Sequence, residues 1–252
     1  MTNKNAISKR LTIHHSLLTN FAFTLAETLI VMGIIGVVAA LTLPNLNSST
    51  GDKEKIAKFK KIYSNLNDAV GRAQSVYGPI DEWFLNDSTA LAKSKRAAER
   101  ITEFMKISKS CTNNTTAGCM KTGQTKNLAN TNYTVQPVDT NTYTYILADG
   151  TSLAISASNT SVHFFIDTDG PNKGNFTYGV DVFWFHANND GLYYSKTSSN
   201  SSNLANCSGD IALIMTCEAW ILDNDNMDYI KADKNGKCPN GTQLSDTVTS
   251  CK

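Results

Sequence analysis

The sequence predicts an α+β protein in which one long N-terminal helix packs on an antiparallel β-sheet. Three features carry this prediction: an apolar run from Phe23 to Leu43, a helix-periodic apolar stripe after it, and segments of two-residue period from Tyr143 onward. Apolar residues three and four apart are typical of a helix, and strict alternation is typical of a half-buried strand. Six cysteines after residue 110 add disulfide loops to the expected head domain.

The apolar run is long enough to cross a bilayer. As a helix that rises about 1.5 Å per residue, it matches a hydrocarbon core of roughly 30 Å, so we expect residues 23–46 to be transmembrane. Glu27 interrupts the run near its start, where an ionised carboxylate costs roughly 2.5–3.5 kcal/mol and needs a partner. Pro44 lacks a backbone donor and predicts a bend.

The order of residues around Glu27 is specific. Ala22 is followed by Phe23-Thr24-Leu25-Ala26-Glu27, then by the apolar run and Pro44. This order resembles the class III signal of type IV pilins and type II secretion pseudopilins, over about residues 1–50. The resemblance implies that a prepilin peptidase cuts between Ala22 and Phe23 and methylates the new amino terminus on Phe23. The family usually has Gly before the cut, where this chain has Ala22.

The resemblance also implies an assembly chemistry. A newly formed α-amino group is a cation at neutral pH. In a staggered filament, the Phe23 amine of one subunit could pair with Glu27 of its neighbour inside an apolar bundle. The implied protein is a structural subunit and not an enzyme. Its implied partners are the prepilin peptidase, an assembly ATPase with its inner-membrane platform, and other pilins or pseudopilins in homo- or hetero-filaments.

Charge gives the expected orientation. Residues 1–22 contain Lys4, Lys9 and Arg10 and no acid, which places this end in the cytoplasm of a single-pass inner-membrane precursor. After assembly, the filament would be periplasmic or extracellular. Without residues 1–22 the chain keeps 20 basic and 22 acidic side chains, a net charge of −2 that argues against nucleic acid as a partner.

Two other readings of the amino terminus stay open. It could be an ordinary signal anchor that tolerates Glu27. It could also be a conventional signal peptide cut after Val38-Ala39-Ala40, which would release a protein that begins at Leu41. Either would make the chain a secreted or membrane-anchored binding domain or hydrolase.

The expected domains are a leader (1–22), a long helix (23–78) and an α+β head (79–252). In the second half of the helix, one apolar stripe should face the head, and the neighbouring lysines should form a solvated face. Gly78-Pro79 should end the helix. The stripe comprises Ile56, Phe59, Tyr63, Leu66, Val70, Ala73 and Tyr77, and the lysines are Lys53, Lys55, Lys58, Lys60 and Lys61.

The head should begin with helical structure. Residues 83–85 should dock apolar surface, and Asp87 or Ser88 should cap a helix that runs to about Ser108. Residues 110–132 are rich in Thr, Asn and Gly and predict a long loop. Strands are expected at 143–148, 151–156, 161–167, 180–186 and 191–195, with Asp149-Gly150 as a type I′ hairpin turn.

The cysteines predict three disulfides. None forms a CxxC pair and no histidine lies near in sequence, so a zinc site is disfavoured. Sequence allows fifteen connectivities. Short loops close most easily, which favours pairing of neighbours, and the last pair also resembles a C-terminal disulfide loop of pilins. The expected pairs are Cys111 with Cys119, Cys207 with Cys217, and Cys238 with Cys251.

Two acidic groups are candidate metal sites. Asp167, Asp169 and Asn172, joined by Asp181, could offer oxygen ligands to calcium, and some major pseudopilins bind calcium in the head. An Asp/Gly/Asn turn without a metal is the other interpretation. A second group comprises Asp223, Asp225 and Asp228.

Catalysis has little support in the sequence. After the leader only His163 and His186 remain, and each lies in a predicted strand among aromatic residues. There is no Gly-x-Ser-x-Gly elbow, phosphate loop or HExxH pair. We therefore expect no enzymatic activity and no required cofactor.

Overall fold

A computed structural model of the chain describes residues 24–111, 118–128, 137–194, 216–233, 235–245 and 247–251, without the side chains of residues 41–50 and 216. The chain divides into two compact units, Met1–Ser48 and Ser49–Lys252. Helix α1 (Leu25–Tyr77) contributes to both. Within the described ranges, no helix combines the length and the apolar character that crossing a membrane requires.

The second unit has an α+β fold, as predicted. A 3₁₀ helix (Ile80–Phe84) and helix α2 (Ala90–Thr102) follow α1. Six strands form one antiparallel sheet in sequence order. A third helix and a short 3₁₀ turn follow the sheet. The strands are β1 (Ile107–Cys111), β2 (Tyr143–Leu147), β3 (Ser152–Ala157), β4 (Val162–Asp167), β5 (Val182–Asn188) and β6 (Gly191–Tyr193), and the later helices are α3 (Thr216–Asn224) and Asp228–Ile230.

The core lies between the second half of α1 and the sheet. The Phe59 ring is 4.6 Å from that of Phe183 and 5.7 Å from that of Phe185, measured between centroids. Most of the predicted stripe is buried, because its spacing keeps these side chains on one side of the helix. Tyr63 and Tyr77 are only partly buried, and Ile62 and Ala69 join the core. The buried residues of α1 are Ile56, Phe59, Ile62, Leu66, Ala69, Val70 and Ala73.

Strand β1 is one element that the sequence prediction missed. The predicted helix was to reach Ser108, but α2 ends at Thr102 and residues 107–111 pair with β2. The three central residues of β1 are polar and exposed, so no alternation of hydrophobicity marks the strand. Its pairing with β2 across 32 or more intervening residues is a tertiary effect that local periodicity does not reveal.

The start of α2 also differs from the prediction. Thr89 is the N-cap, and its hydroxyl accepts the Ala92 N–H at 3.1 Å. Asp87 instead accepts two hydrogen bonds from Arg96, at 2.5 and 3.0 Å. In the preceding 3₁₀ helix, Trp83 and Phe84 are buried, but Leu85 is 78% exposed and does not dock.

The turn between β2 and β3 is not type I′. That turn needs positive φ at both central residues. Gly150 has φ 84°, whereas Asp149 is not among the residues with positive φ. The Gly150 N–H donates to Leu147 O, so the glycine follows the turn and lets the chain enter β3.

The sequence predicted a solvated face for the lysines of α1, but three of these lysines contact the head. The Lys60 ammonium lies 2.8 Å from Asp225, and that of Lys61 lies 3.2 Å from Asp149. Lys58 donates to the backbone oxygen of Thr168. These contacts join α1 to three separate loops of the head. Each exposed ion pair contributes little to stability on its own.

Disulfides close two of the three expected loops among the described residues. Cys111 is bonded to Cys119, and Cys238 to Cys251. Cys217 is also disulfide-bonded. Cys207 lies outside the described residues, so its pairing with Cys217 stays a prediction.

Candidate functional site

Glu27 lies in the first turn of α1, where it closes a capping box with Thr24. The Oε2 atom of Glu27 accepts the backbone N–H and the hydroxyl of Thr24, both at 2.9 Å. The Glu27 N–H donates back to the Thr24 hydroxyl at 3.2 Å. Such reciprocal bonds satisfy amides that a helix start leaves without partners. The Thr-x-x-Glu spacing carried this signal, and the sequence reasoning did not use it.

The helix that follows is apolar on every side. Leu29, Ile30, Val31 and Met32 are 52–72% exposed, although they are consecutive. Successive helical residues are about 100° apart, so these four side chains point around the whole circumference. Exposed apolar side chains on all sides of residues 29–32 favour lipid or other helices around this part of α1.

Three of the predicted processing and assembly positions cannot be placed. Ala22 and Phe23 lie outside the described residues, and so does the Pro44 side chain. The expected bend at Pro44 therefore stays a prediction. Of the four residues, only Glu27 has described contacts.

The predicted calcium residues lie around the β4–β5 loop. Asp167 and Asp181 are buried, and Asn172 is exposed. A Cβ built on Gly174 would lie 2.4 Å from Asp181 Oδ2 and 2.6 Å from Asp169 Oδ2, so two carboxylates close in on this glycine. The loop therefore does bring Asp169 and Asp181 together, and Gly174 is the residue that permits their approach.

Hydrogen bonds already occupy much of this acidic loop. Asp181 Oδ2 accepts the N–H groups of Asn175 and Phe176 at 2.9 and 3.0 Å, and its Oδ1 accepts that of Thr177 at 2.5 Å. Asp167 Oδ1 accepts the Asp169 N–H at 3.0 Å. Asp167 Oδ2 is buried and has no hydrogen-bond partner among the described residues.

Electrostatics in the loop disfavour full negative charges on both Asp167 and Asp181. The pKa of Asp167 is raised to about 7, mainly by burial and then by the charge of Asp181, against the charge of Lys121. Burial also raises the pKa of Asp181, against the hydrogen bond from Thr177. Close carboxylates in a poorly solvated site need a nearby cation or a proton.

With Lys121 on its carbonyls, the loop does not fit a calcium ion. Calcium takes about six to eight oxygen ligands. Both oxygens of Asp181 accept backbone N–H groups, Asn172 is exposed, and the loop carbonyls of Lys173 and Gly174 accept from the Lys121 ammonium. Across the described residues, no three His, Cys, Asp or Glu side chains form a group that could hold a metal ion. These contacts favour the turn without a metal.

The second acidic group serves the packing of the carboxyl end. Asp225 pairs with Lys60 of α1. Asp228 accepts the Ser250 hydroxyl at 3.0 Å, the Cys251 N–H at 2.8 Å and the Lys231 ammonium at 2.6 Å. Asp228 therefore holds the loop that the Cys238–Cys251 disulfide closes.

One buried acid was not foreseen from the sequence. Glu218 of α3 is fully buried, and its Oε1 accepts the Tyr178 hydroxyl at 2.5 Å and the Trp184 N–H at 2.7 Å. Burial raises the pKa of Glu218 to about 8. This residue joins α3 to the start of β5, which is a structural role that local sequence does not reveal.

The two histidines form a cross-strand pair. His163 on β4 lies opposite His186 on β5, with ring centroids 4.2 Å apart. The His163 ring contacts the Ser161 hydroxyl at 3.1 Å, and His186 contacts the Tyr193 hydroxyl at 3.3 Å. Burial lowers both pKa values, that of His186 to about 4. His163 stacks on Trp184 and His186 meets the same ring edge-on, so both lie in an aromatic cluster, as expected for packed histidines.

No protein-family model matches the chain, and no curated protein or solved structure matches it significantly.

Proposed function

We propose that this chain is a structural subunit of a type IV pilus or type II secretion pseudopilus. In this account it is made as an inner-membrane precursor with a cytoplasmic amino terminus. A prepilin peptidase cuts it between Ala22 and Phe23 and methylates Phe23. An assembly ATPase and its membrane platform then pack it, with sister pilins or pseudopilins, into a periplasmic or extracellular filament.

The observation that carries the proposal is an exposed apolar helix with one acid at its start. The side chains of residues 29–32 need apolar surroundings on all sides, and a bundle of identical helices supplies them. Glu27 is the one residue of this segment whose charge could select a partner. A signal anchor has no need of an acid at this depth.

The capping box fits this assembly role. Oε2 of Glu27 is held by Thr24, so the carboxylate has a fixed direction. Among the described residues, Oε1 makes no hydrogen bond. An incoming α-amine of a neighbouring Phe23 could therefore bind Oε1 without breaking the cap. Two costly charges would become one pair in low dielectric.

Glu27→Gln tests the proposal in the native host. Glutamine is also accepted at this position of a capping box, so the helix start survives while the charge is lost. We expect incorporation into filaments to fall about tenfold or more, with membrane levels unchanged, because a charge-assisted bond is worth more than one factor of ten. Normal incorporation of this variant would show that the charge of Glu27 does not direct assembly. Absence of the wild-type chain from filaments would reject the filament role and favour a secreted or anchored binding domain or hydrolase.

A further inference from the structure

Two lysines outside the β4–β5 loop bind its backbone. Lys121, two residues after the Cys111–Cys119 disulfide, donates to Lys173 O and, at 2.8 Å, to Gly174 O. Its ammonium also lies 5.8 Å from the centroid of the Phe176 ring. From α1, Lys58 donates to Thr168 O. Both ammonium groups therefore lie next to backbone oxygens of the β4–β5 loop.

The oxygen set that Lys121 contacts resembles that of a cation site. Two consecutive carbonyl oxygens accept its protons, and the carboxylates of Asp169 and Asp181 close in on the same Gly174. Carbonyls combined with carboxylates are the ligands that hard cations prefer. A lysine ammonium is a compact charge with three donors, so it can satisfy such oxygens without a metal.

Lysine charges act on the two buried carboxylates of the loop. The charge of Lys121 opposes the burial that raises the pKa of Asp167, and the charge of Lys55 does the same for Asp181. A divalent ion bound to the carbonyls of Lys173 and Gly174 would meet the positive charge of the Lys121 ammonium that already contacts them.

We propose that the Lys121 ammonium is the resident cation of the β4–β5 loop and takes the position that a divalent ion would otherwise hold. This cation belongs to the chain itself, and the Cys111–Cys119 disulfide lies two residues before it. The loop is then organised without calcium. This assignment does not depend on the filament role, because it concerns only contacts within residues 49–252.

Thermal unfolding of the full chain in detergent micelles tests the assignment. The variant is Lys121→Met, which keeps the length of the side chain and removes its charge. The matched control is Lys173→Met, at an exposed lysine of the same loop. Each protein is compared in calcium chloride and in sodium chloride of equal ionic strength with a chelator.

We expect calcium to leave the Tm of the wild type and of Lys173→Met unchanged. Lys121→Met should unfold about 4–8 °C lower in the chelator, and calcium should recover at least half of this loss. A calcium-dependent rise in the Tm of the wild type would overturn the proposal. So would a Lys121→Met variant that equals its control, or one that calcium does not rescue.

If the Lys121→Met variant fails to fold, a second variant and a second measurement test the assignment. Lys121→Arg keeps the charge and should fold with a Tm close to that of the wild type. Terbium luminescence, excited through the aromatic residues, should show no calcium-competed signal with the wild-type chain. A competed signal would show that the loop takes a metal in the presence of Lys121 and would contradict the assignment.

Discussion

Glu27 and Thr24 bind each other through three hydrogen bonds of 2.9–3.2 Å. The acid that the filament account needs for recruitment therefore also begins its own helix. These two roles can be separated, because the cap depends on the oxygens of both side chains, whereas recruitment depends on the negative charge alone.

Thr24→Ala is expected to leave filament incorporation largely intact. The substitution removes the hydroxyl that donates to Glu27 and accepts its N–H, so the first turn of α1 should lose about 1 kcal/mol of stability. The charge of Glu27 remains. Quantitative immunoblotting of sheared filaments measures the incorporation of Thr24→Ala and of Glu27→Gln side by side. Equal loss in both variants would mean that assembly requires the cap as well as the charge.

Phe59→Ala should strongly destabilise the head. Phe59 is 1% exposed and packs on Phe183 and Phe185, so its removal leaves a cavity between α1 and the sheet. We expect a loss of about 3–5 kcal/mol in the free energy of unfolding. Val76→Ala, on the same helix at a residue that is 61% exposed, is the control and should cost about 0.5 kcal/mol or less. Denaturant titration of the full chain measures both, and similar losses would contradict the packing of α1 on the sheet.

Glu218 should make the head less stable at high pH. Its pKa is about 8 in the folded protein and near 4.5 when exposed, so the folded protein keeps a proton that the unfolded chain releases. The stability from this group is fully present below about pH 4.5 and is lost as pH rises through about 8. Glu218→Gln stays neutral and keeps an acceptor for Tyr178 and Trp184, so it should be more stable than the wild type at pH 9.

Urea titrations at pH 5, 7 and 9 measure this dependence. Asp167, whose pKa is raised to about 7, contributes in the same direction, so the variant should keep a smaller slope. Glu82→Gln, at an exposed glutamate, should retain the wild-type slope. If Glu218→Gln also retains the wild-type slope, Glu218 is not the buried acid that lowers the stability of the head at high pH.

His186 should make the head less stable at low pH. Its pKa is lowered from 6.5 to about 4, mainly by burial and in part by the charge of His163. A lowered histidine pKa gives stability that is present above about pH 6.5 and is lost as pH falls through about 4. His186→Phe keeps the ring contact with Trp184 and cannot be protonated, so its acid unfolding midpoint should move to lower pH. An unchanged midpoint by circular dichroism would contradict this role.

The sequence predicted the elements that are rich in apolar residues. The stripe of α1 has the period of a helix, and the five strands expected from residue 143 onward all form, although β3 and β4 contain runs of consecutive buried residues. Strand β1 is polar at its centre, and its pairing with β2 decides its conformation. The end of α2 at Thr102 was missed for the same reason, because the residues that follow it enter the sheet.

The candidate sites divide in the same way. Asp169 and Asp181 could be placed together, because both belong to the one loop that joins β4 to β5. Lys121 could not be placed beside them, because it comes from a segment more than 40 residues earlier. The burial of Glu218 likewise depends on how α3 packs against β5, which no local pattern encodes. Thr24 was readable from its spacing to Glu27.

The most direct test of the filament account is the amino-terminal residue of the mature protein, determined by mass spectrometry of the membrane fraction from the native host. The account predicts a chain that begins at N-methylated Phe23, which would establish processing by a prepilin peptidase. A chain that begins at Leu41, or one that keeps residues 1–22, would contradict it and would make the head a secreted or anchored domain of another function.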